Sequence, residues 1–129
     1  MSLVTTNEML KKAQEEHYAV GAFNVENMEM VMSVLKAAEE MQAPVIMQTT
    51  PSTVKYAGLS YYLAMVRAAA ESSSVPVAMH LDHGSSFELA MQALRTGYTL
   101  SLIHIYSRSN IRRSYACRKS SQCAVCTRM

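Results

Sequence analysis

Residues 1 to 99 contain no cysteine, and residues 100 to 129 contain no acid. The first absence confines any thiol chemistry to the end of the chain. The second gives that end a charge character of its own. No apolar run approaches the ~18 residues that a membrane-spanning helix needs, and the N-terminus lacks the basic-then-apolar pattern of a signal peptide. Both absences lead us to expect a soluble, cytoplasmic protein. A glycine-rich phosphate loop is missing too: Gly21 precedes Phe23 and Asn24 instead of opening a helix, so the dinucleotide-binding fold lacks its signature.

What remains is a chain of 129 residues, half of them hydrophobic, which is enough for one domain with a real core but not for two. Its formal charge of +2 is the sum of two unlike parts. Residues 1 to 99 carry all 10 acids against 6 bases, whereas residues 100 to 129 carry 6 bases and all 3 cysteines. The 11 methionines are spread mostly along helical segments and read as adaptable core filler.

Along the first part, strands and helices alternate. A capped helix is expected from Thr6 or Asn7 to about Glu16, with Met9, Leu10 and Ala13 on one stripe. Tyr18 to Asn24 reads as a first buried strand ending on a polar side chain, and Glu26 to Gln42 as a helix of 3.6-residue period stopped by Pro44. Pro44 to Thr50 reads as a second buried strand with Gln48, Thr49 and Thr50 at its end. Pro51 to Gly58 reads as a loop, Ser60 to Ser72 as a helix, and Ser86 to about Arg95 as a helix stopped by Gly97. A fourth strand is expected to begin near Tyr98. Short apolar strands alternating with helices predict a parallel sheet with helices outside, either doubly wound or a (β/α)8 barrel.

The chemically richest stretch is Val75-Pro-Val-Ala-Met-His-Leu-Asp-His-Gly84. Its apolar start, between a serine loop and a glycine, fits a strand buried on both faces. In a strand His80 and Asp82 point the same way, and His83 falls where the strand ends. Gly84 is expected to let the backbone turn before a helix capped by Ser85 or Ser86, with Glu88 placed for a capping box. A carboxylate and an imidazole thus come to the carboxyl end of a strand, where α/β folds place their chemistry. For Asn24, Gln48 and Thr50 the residues alone favour strand-end capping and loop hydrogen bonds over substrate contact.

Three stretches together resemble the class II, zinc-dependent fructose-bisphosphate and tagatose-bisphosphate aldolases: Tyr-Ala-Val-Gly-Ala-Phe-Asn (18–24), Ala-Pro-Val-Ile-Met-Gln (43–48) and Pro-Val-Ala-Met-His-Leu-Asp-His-Gly-Ser-Ser-Phe (76–87). The resemblance covers residues 1 to 99. It implies the N-terminal part of a (β/α)8 barrel, three strand–helix units and the start of a fourth strand. It further implies reversible cleavage of a ketose 1,6-bisphosphate to dihydroxyacetone phosphate and glyceraldehyde 3-phosphate. By the same resemblance His83 is one of three zinc-binding histidines, Asp82 is the acid/base that moves the proton of the C4 hydroxyl, and Asn24, Gln48 and Thr50 line the substrate site. His80 is left as a second-layer or core histidine. Zinc in this role is a Lewis acid that polarises the ketone, beside which a carboxylate exchanges the proton. The family is generally homo-oligomeric.

The two further histidines and the phosphate-binding segments of the family come from later strands, and neither His17 nor His104 sits in a matching motif. A catalytic zinc ion takes three protein ligands, so this chain alone is expected to be inactive. Leu100-Ser-Leu-Ile-His-Ile-Tyr106 departs from the family, and its first six residues resemble the translated transposase end used in DNA library preparation. Residues 100 to 129 are therefore expected to be a non-homologous tail, Leu100 to Tyr106 still able to act as a strand and the rest disordered. Cys117, Cys123 and Cys126 lack a fourth ligand at zinc-finger spacing. Beyond Tyr106 and Tyr115 the basic residues lack the interleaved aromatics of a nucleic-acid surface, so nucleic acid is not expected as a partner. The rival reading is a non-enzymatic α/β module whose tail contacts nucleic acid or metal. An open sheet with two edges also predicts marginal stability and association.

Overall fold

The computed structural model describes residues 3–103. His104, the three cysteines and the rest of the basic tail lie outside the described residues, and so do the metal, nucleic-acid and disorder readings of that segment.

Two apolar strands make the centre of the sheet, β2 (Val45–Thr49) and β3 (Val77–Gly84), with β1 (Gly21–Asn24) and β4 (Leu100–Ile103) at its sides. All neighbours are parallel, and the order is β1-β2-β3-β4. Each strand pairs with the next in sequence, through α2 (Met28–Glu40), then α3 (Pro51–Ala57) with α4 (Leu59–Ser72), then α5 (Phe87–Thr96). A doubly wound sheet reverses its strand order at a switch point. This one advances in a single direction, as barrel strands do, and so separates the two architectures that periodicity left open.

The two faces of the sheet do different work because successive side chains alternate. Val45, Met47, Val77, Met79 and Leu81 point outward and are buried against Val31, Tyr62, Leu63, Val66, Ala70 and Ala93 of the helices. Ile46 and Ala78 point to the inner face, where Met9 of α1 (Thr6–Glu15) closes the amino end with Val4 and Val20. The Val4 amide, donating to the Val77 carbonyl at 2.9 Å, pins this lead-in segment to β3. The carboxyl ends of the strands remain open for polar side chains.

Several expectations are corrected. Pro51–Ala57 is a helix, not a loop: Thr50 caps it and Pro51 occupies its first turn, where a missing N–H costs nothing. β1 is exposed along most of its length because it is the sheet edge, and Phe23 is 51% exposed. Methionine fills the core at Met9, Met47 and Met79, but Met28, Met30, Met32 and Met41 are exposed on or beside α2. Ser86 is the cap of α5, its hydroxyl accepting from the Leu89 amide at 3.1 Å. That puts Leu89 at the third helical position, so Ser86 and Glu88 do not make a capping box.

Candidate active site at the carboxyl end of the sheet

The site begins as a row. Asn24 lies opposite Gln48, and Gln48 opposite His80, so three inward-facing polar side chains cross three strands in register. Asp82 stands two residues beyond His80 on the same face. The Gln48 amide nitrogen donates to Asn24 Oδ1 at 2.9 Å and to Asp82 Oδ2 at 3.1 Å, tying the ends of β1, β2 and β3 into one network. One planar amide thereby orients the carboxylate.

Asp82 sits between two imidazoles. His80 Nε2 is 3.6 Å from Oδ1, and His83 Nε2 is 3.6 Å from Oδ2. The environments differ: the His80 side chain is 9% exposed, Asp82 17% and His83 62%. Burial lowers the pKa of His80 below its ordinary value, against the opposing pull of the Leu100 backbone and the Asp82 carboxylate. His80 is therefore a neutral imidazole at neutral pH, and its Nδ1 is buried without a hydrogen-bond partner among the described residues. The arrangement has a dry floor and a wet rim.

His83 has a φ of +52°, the left-handed region that a non-glycine residue enters at a cost. Gly84, expected to supply the turn, has no positive φ; the backbone bends one residue earlier and swings the His83 imidazole out of the strand line. A side chain held on a strained backbone at the rim is the kind of feature that clusters at functional positions.

Thr50 is placed apart from this network. Its hydroxyl accepts from the Thr53 amide at 3.4 Å and shares hydrogen bonds with Ser52 Oγ at 2.8 Å and Thr53 Oγ1 at 3.0 Å, as a cap does. Thr53 in turn donates to Glu26 Oε1 at 3.4 Å, and the Tyr62 hydroxyl donates to the Glu26 carbonyl at 3.2 Å. Glu26 thus fastens the start of α3 to the end of β1, a role with no signal in the sequence because its partners lie 27 and 36 residues away. Of the expected site residues, Asn24, Gln48, Asp82 and His83 are brought together. His80 joins them as the floor.

Among the described residues no group of three or more histidine, cysteine, aspartate or glutamate side chains can hold a metal ion. A catalytic zinc takes three protein ligands, so these residues do not fit a complete zinc centre.

A comparison with known families adds to this geometry. The description Fructose-bisphosphate aldolase class-II fits residues 4–116. The chain belongs to that family. The match runs past residue 99, where the motif resemblance ended, and takes in β4. Among curated relatives, the fructose-bisphosphate aldolase of Thermus caldophilus is 50% identical over 101 residues, 78% of this chain and 33% of the relative. The 6-phospho-5-dehydro-2-deoxy-D-gluconate aldolase of Halalkalibacterium halodurans is 42% identical over 106 residues, 80% of this chain and 37% of the relative. Among solved structures, the YdjI aldolase of Escherichia coli K12 superposes with a TM-score of 0.72 at 34% identity, covering 78% of this chain and 39% of that one. This class II aldolase chain spans about a third of the length of the curated relatives it matches. Its four parallel strands are the corresponding part of a barrel.

Proposed function

We propose that this chain carries the first half of the active site of a zinc-dependent aldolase that reversibly cleaves a ketose 1,6-bisphosphate to dihydroxyacetone phosphate and glyceraldehyde 3-phosphate. The observation that carries the reading is the Asp82 carboxylate, fixed by Gln48 at 3.1 Å at the open end of β3 with the His83 imidazole beside it. In this reading Asp82 takes and returns the proton of the C4 hydroxyl, a transfer that needs a carboxylate held in one orientation. His83 is one donor to zinc, the remaining donors lying outside the described residues. Asn24 and Gln48 line the substrate side of the carboxylate, and Thr50 does so at the start of α3. Neutral His80 beneath Asp82 keeps water from the far side of the carboxylate.

Fructose and tagatose bisphosphate differ at C4, the carbon whose hydroxyl Asp82 would serve, so both fit the proposal. The family also includes a relative named for a 6-phospho-5-dehydro-2-deoxy-gluconate substrate. We further propose that family sequence gives way to a non-homologous tail after residue 99: no acid follows Glu88, the three cysteines all lie from Cys117 onward, and the family match, which runs past residue 99, stops at residue 116. Sequencing the encoding locus tests that boundary, and an intact aldolase gene running through residues 100 to 129 would overturn it.

The activity test is retro-aldol turnover and zinc binding by the chain, with and without a complementing C-terminal half-barrel. The chain alone is expected to be inactive, and the complemented pair active. In the complemented pair Asp82→Asn is expected to lower turnover by about a hundredfold or more. Turnover by the chain unaided would defeat the missing-ligand argument.

A further inference from the structure

Buried polar atoms in a folded protein are nearly always paired, and each exception needs a physical reason. His80 Nδ1 is such an exception among the described residues. His80 is 7% exposed and lies on the inner face of β3, two residues before Asp82. An apolar side chain of similar size would fill the same space without an unpaired nitrogen. Packing therefore does not account for an imidazole here. The other ring nitrogen does, because Nε2 faces Asp82 Oδ1 at 3.6 Å.

Burial keeps the ring neutral, so it holds one proton and has two places to put it. On Nδ1 the proton would make a buried donor with no acceptor, and Nε2 would turn its lone pair to a carboxylate. On Nε2 the proton faces Oδ1, and Nδ1 keeps only a lone pair, the less costly of the two orphans. The Leu100 backbone, opposite His80 in register, draws a proton to the ring but makes no hydrogen bond to Nδ1.

The two oxygens of Asp82 are thereby held differently. Oδ2 accepts from Gln48 at 3.1 Å and lies on the side of His83, whose side chain is 62% exposed. Oδ1 faces the buried ring at 3.6 Å, longer than a hydrogen bond, a looseness common before substrate is bound. Gln48 alone fixes one oxygen and lets the carboxylate swing about it. A second donor at the other oxygen stops the swing.

We propose that His80 is a positioning residue for the Asp82 carboxylate: its Nε2–H holds Oδ1 from the buried side and leaves Oδ2, on the open side, as the oxygen that exchanges the substrate proton. The inference deepens the aldol reading and rests on it for the identity of that proton. The placing of the ring proton rests on the geometry alone.

Long-range proton–nitrogen spectra of the full chain, with isotope-labelled histidine, read the ring directly, and His80→Gln identifies its signals by their loss. At neutral pH a protonated Nε2 and a bare Nδ1 are expected, and Asp82→Leu is expected to shift the ratio of tautomers towards Nδ1–H by about tenfold or more. A proton on Nδ1 in the unsubstituted chain, or a ratio indifferent to Asp82→Leu, would overturn the proposal. In the complemented pair His80→Asn, too short to bring an N–H to the Nε2 position, is expected to lower kcat by about tenfold or more with KM within about twofold. His80→Gln, which carries an N–H there, is expected to recover most of that loss. The two variants behaving alike, or a loss confined to KM, would overturn it as well. A pair without turnover before any substitution would count against the aldol reading alone, and the spectra would still decide the ring proton.

Discussion

The backbone at His83, with its φ of +52°, sets the strongest residue-scale expectation. His83→Gly and His83→Ala both remove the imidazole, but only glycine adopts this conformation freely. The glycine variant is expected to be about 1–2 kcal/mol more stable than the alanine variant in urea unfolding. Equal stabilities would mean that the turn is not strained. His80 sets a second expectation, in pH. Its folded pKa lies below that of the unfolded chain, about 6.5. Below that pH the unfolded state takes up a proton that the folded state refuses, so stability is full above 6.5 and falls as the pH drops. The loss between pH 7.5 and 5 is expected to be smaller in His80→Gln, and an identical loss would show that His80 does not carry it.

At the scale of elements, the structure depends on small clamps. The Thr99 hydroxyl accepts from the buried Met79 amide at 2.9 Å and donates to the Met79 carbonyl at 3.1 Å, fastening β4 to β3 just before β4 begins. Thr99→Val strands the Met79 amide and is expected to cost about 1–3 kcal/mol, read as a lower urea midpoint and faster amide exchange in β4. The cap at Thr50 is the corresponding device for α3. Thr50→Ala is expected to cost about 1 kcal/mol, with exchange protection lost first in α3. Thr99 and Thr50 look alike in the sequence, as polar residues at strand boundaries. Their partners separate them: Thr50 bonds within three residues, while Thr99 reaches 20 back.

For the molecule as a whole, the central fact is a core that lies almost entirely on one side of the sheet. The outer face is sealed by α2, α4 and α5, while α1 seals only the amino end of the inner face. A domain of this length has a total stability of roughly 5–15 kcal/mol, and the two edges left open among the described residues place this one toward the low end. Leu81, fully buried at the middle of β3, is the point at which to test this. Leu81→Ala is expected to cost about 2–5 kcal/mol and to leave much of the chain unfolded at 37 °C by circular dichroism. A variant that melts like the original would show a more robust half-barrel than this core implies.

The existence and order of the strands and longer helices were legible in the sequence, because alternation of short apolar runs with 3.6-residue periods is a local property of the chain. The pairing of Asp82 with His83 was legible too, being a matter of adjacent residues at a strand end. Other features depend on residues far apart in sequence. The single-direction winding, the Gln48 bridge from Asn24 to Asp82, the burial that keeps His80 neutral and the exposure of β1 were decided only by the tertiary structure. Register and burial exist only once strands lie side by side, and the sequence of one strand carries no record of which neighbour will cover it.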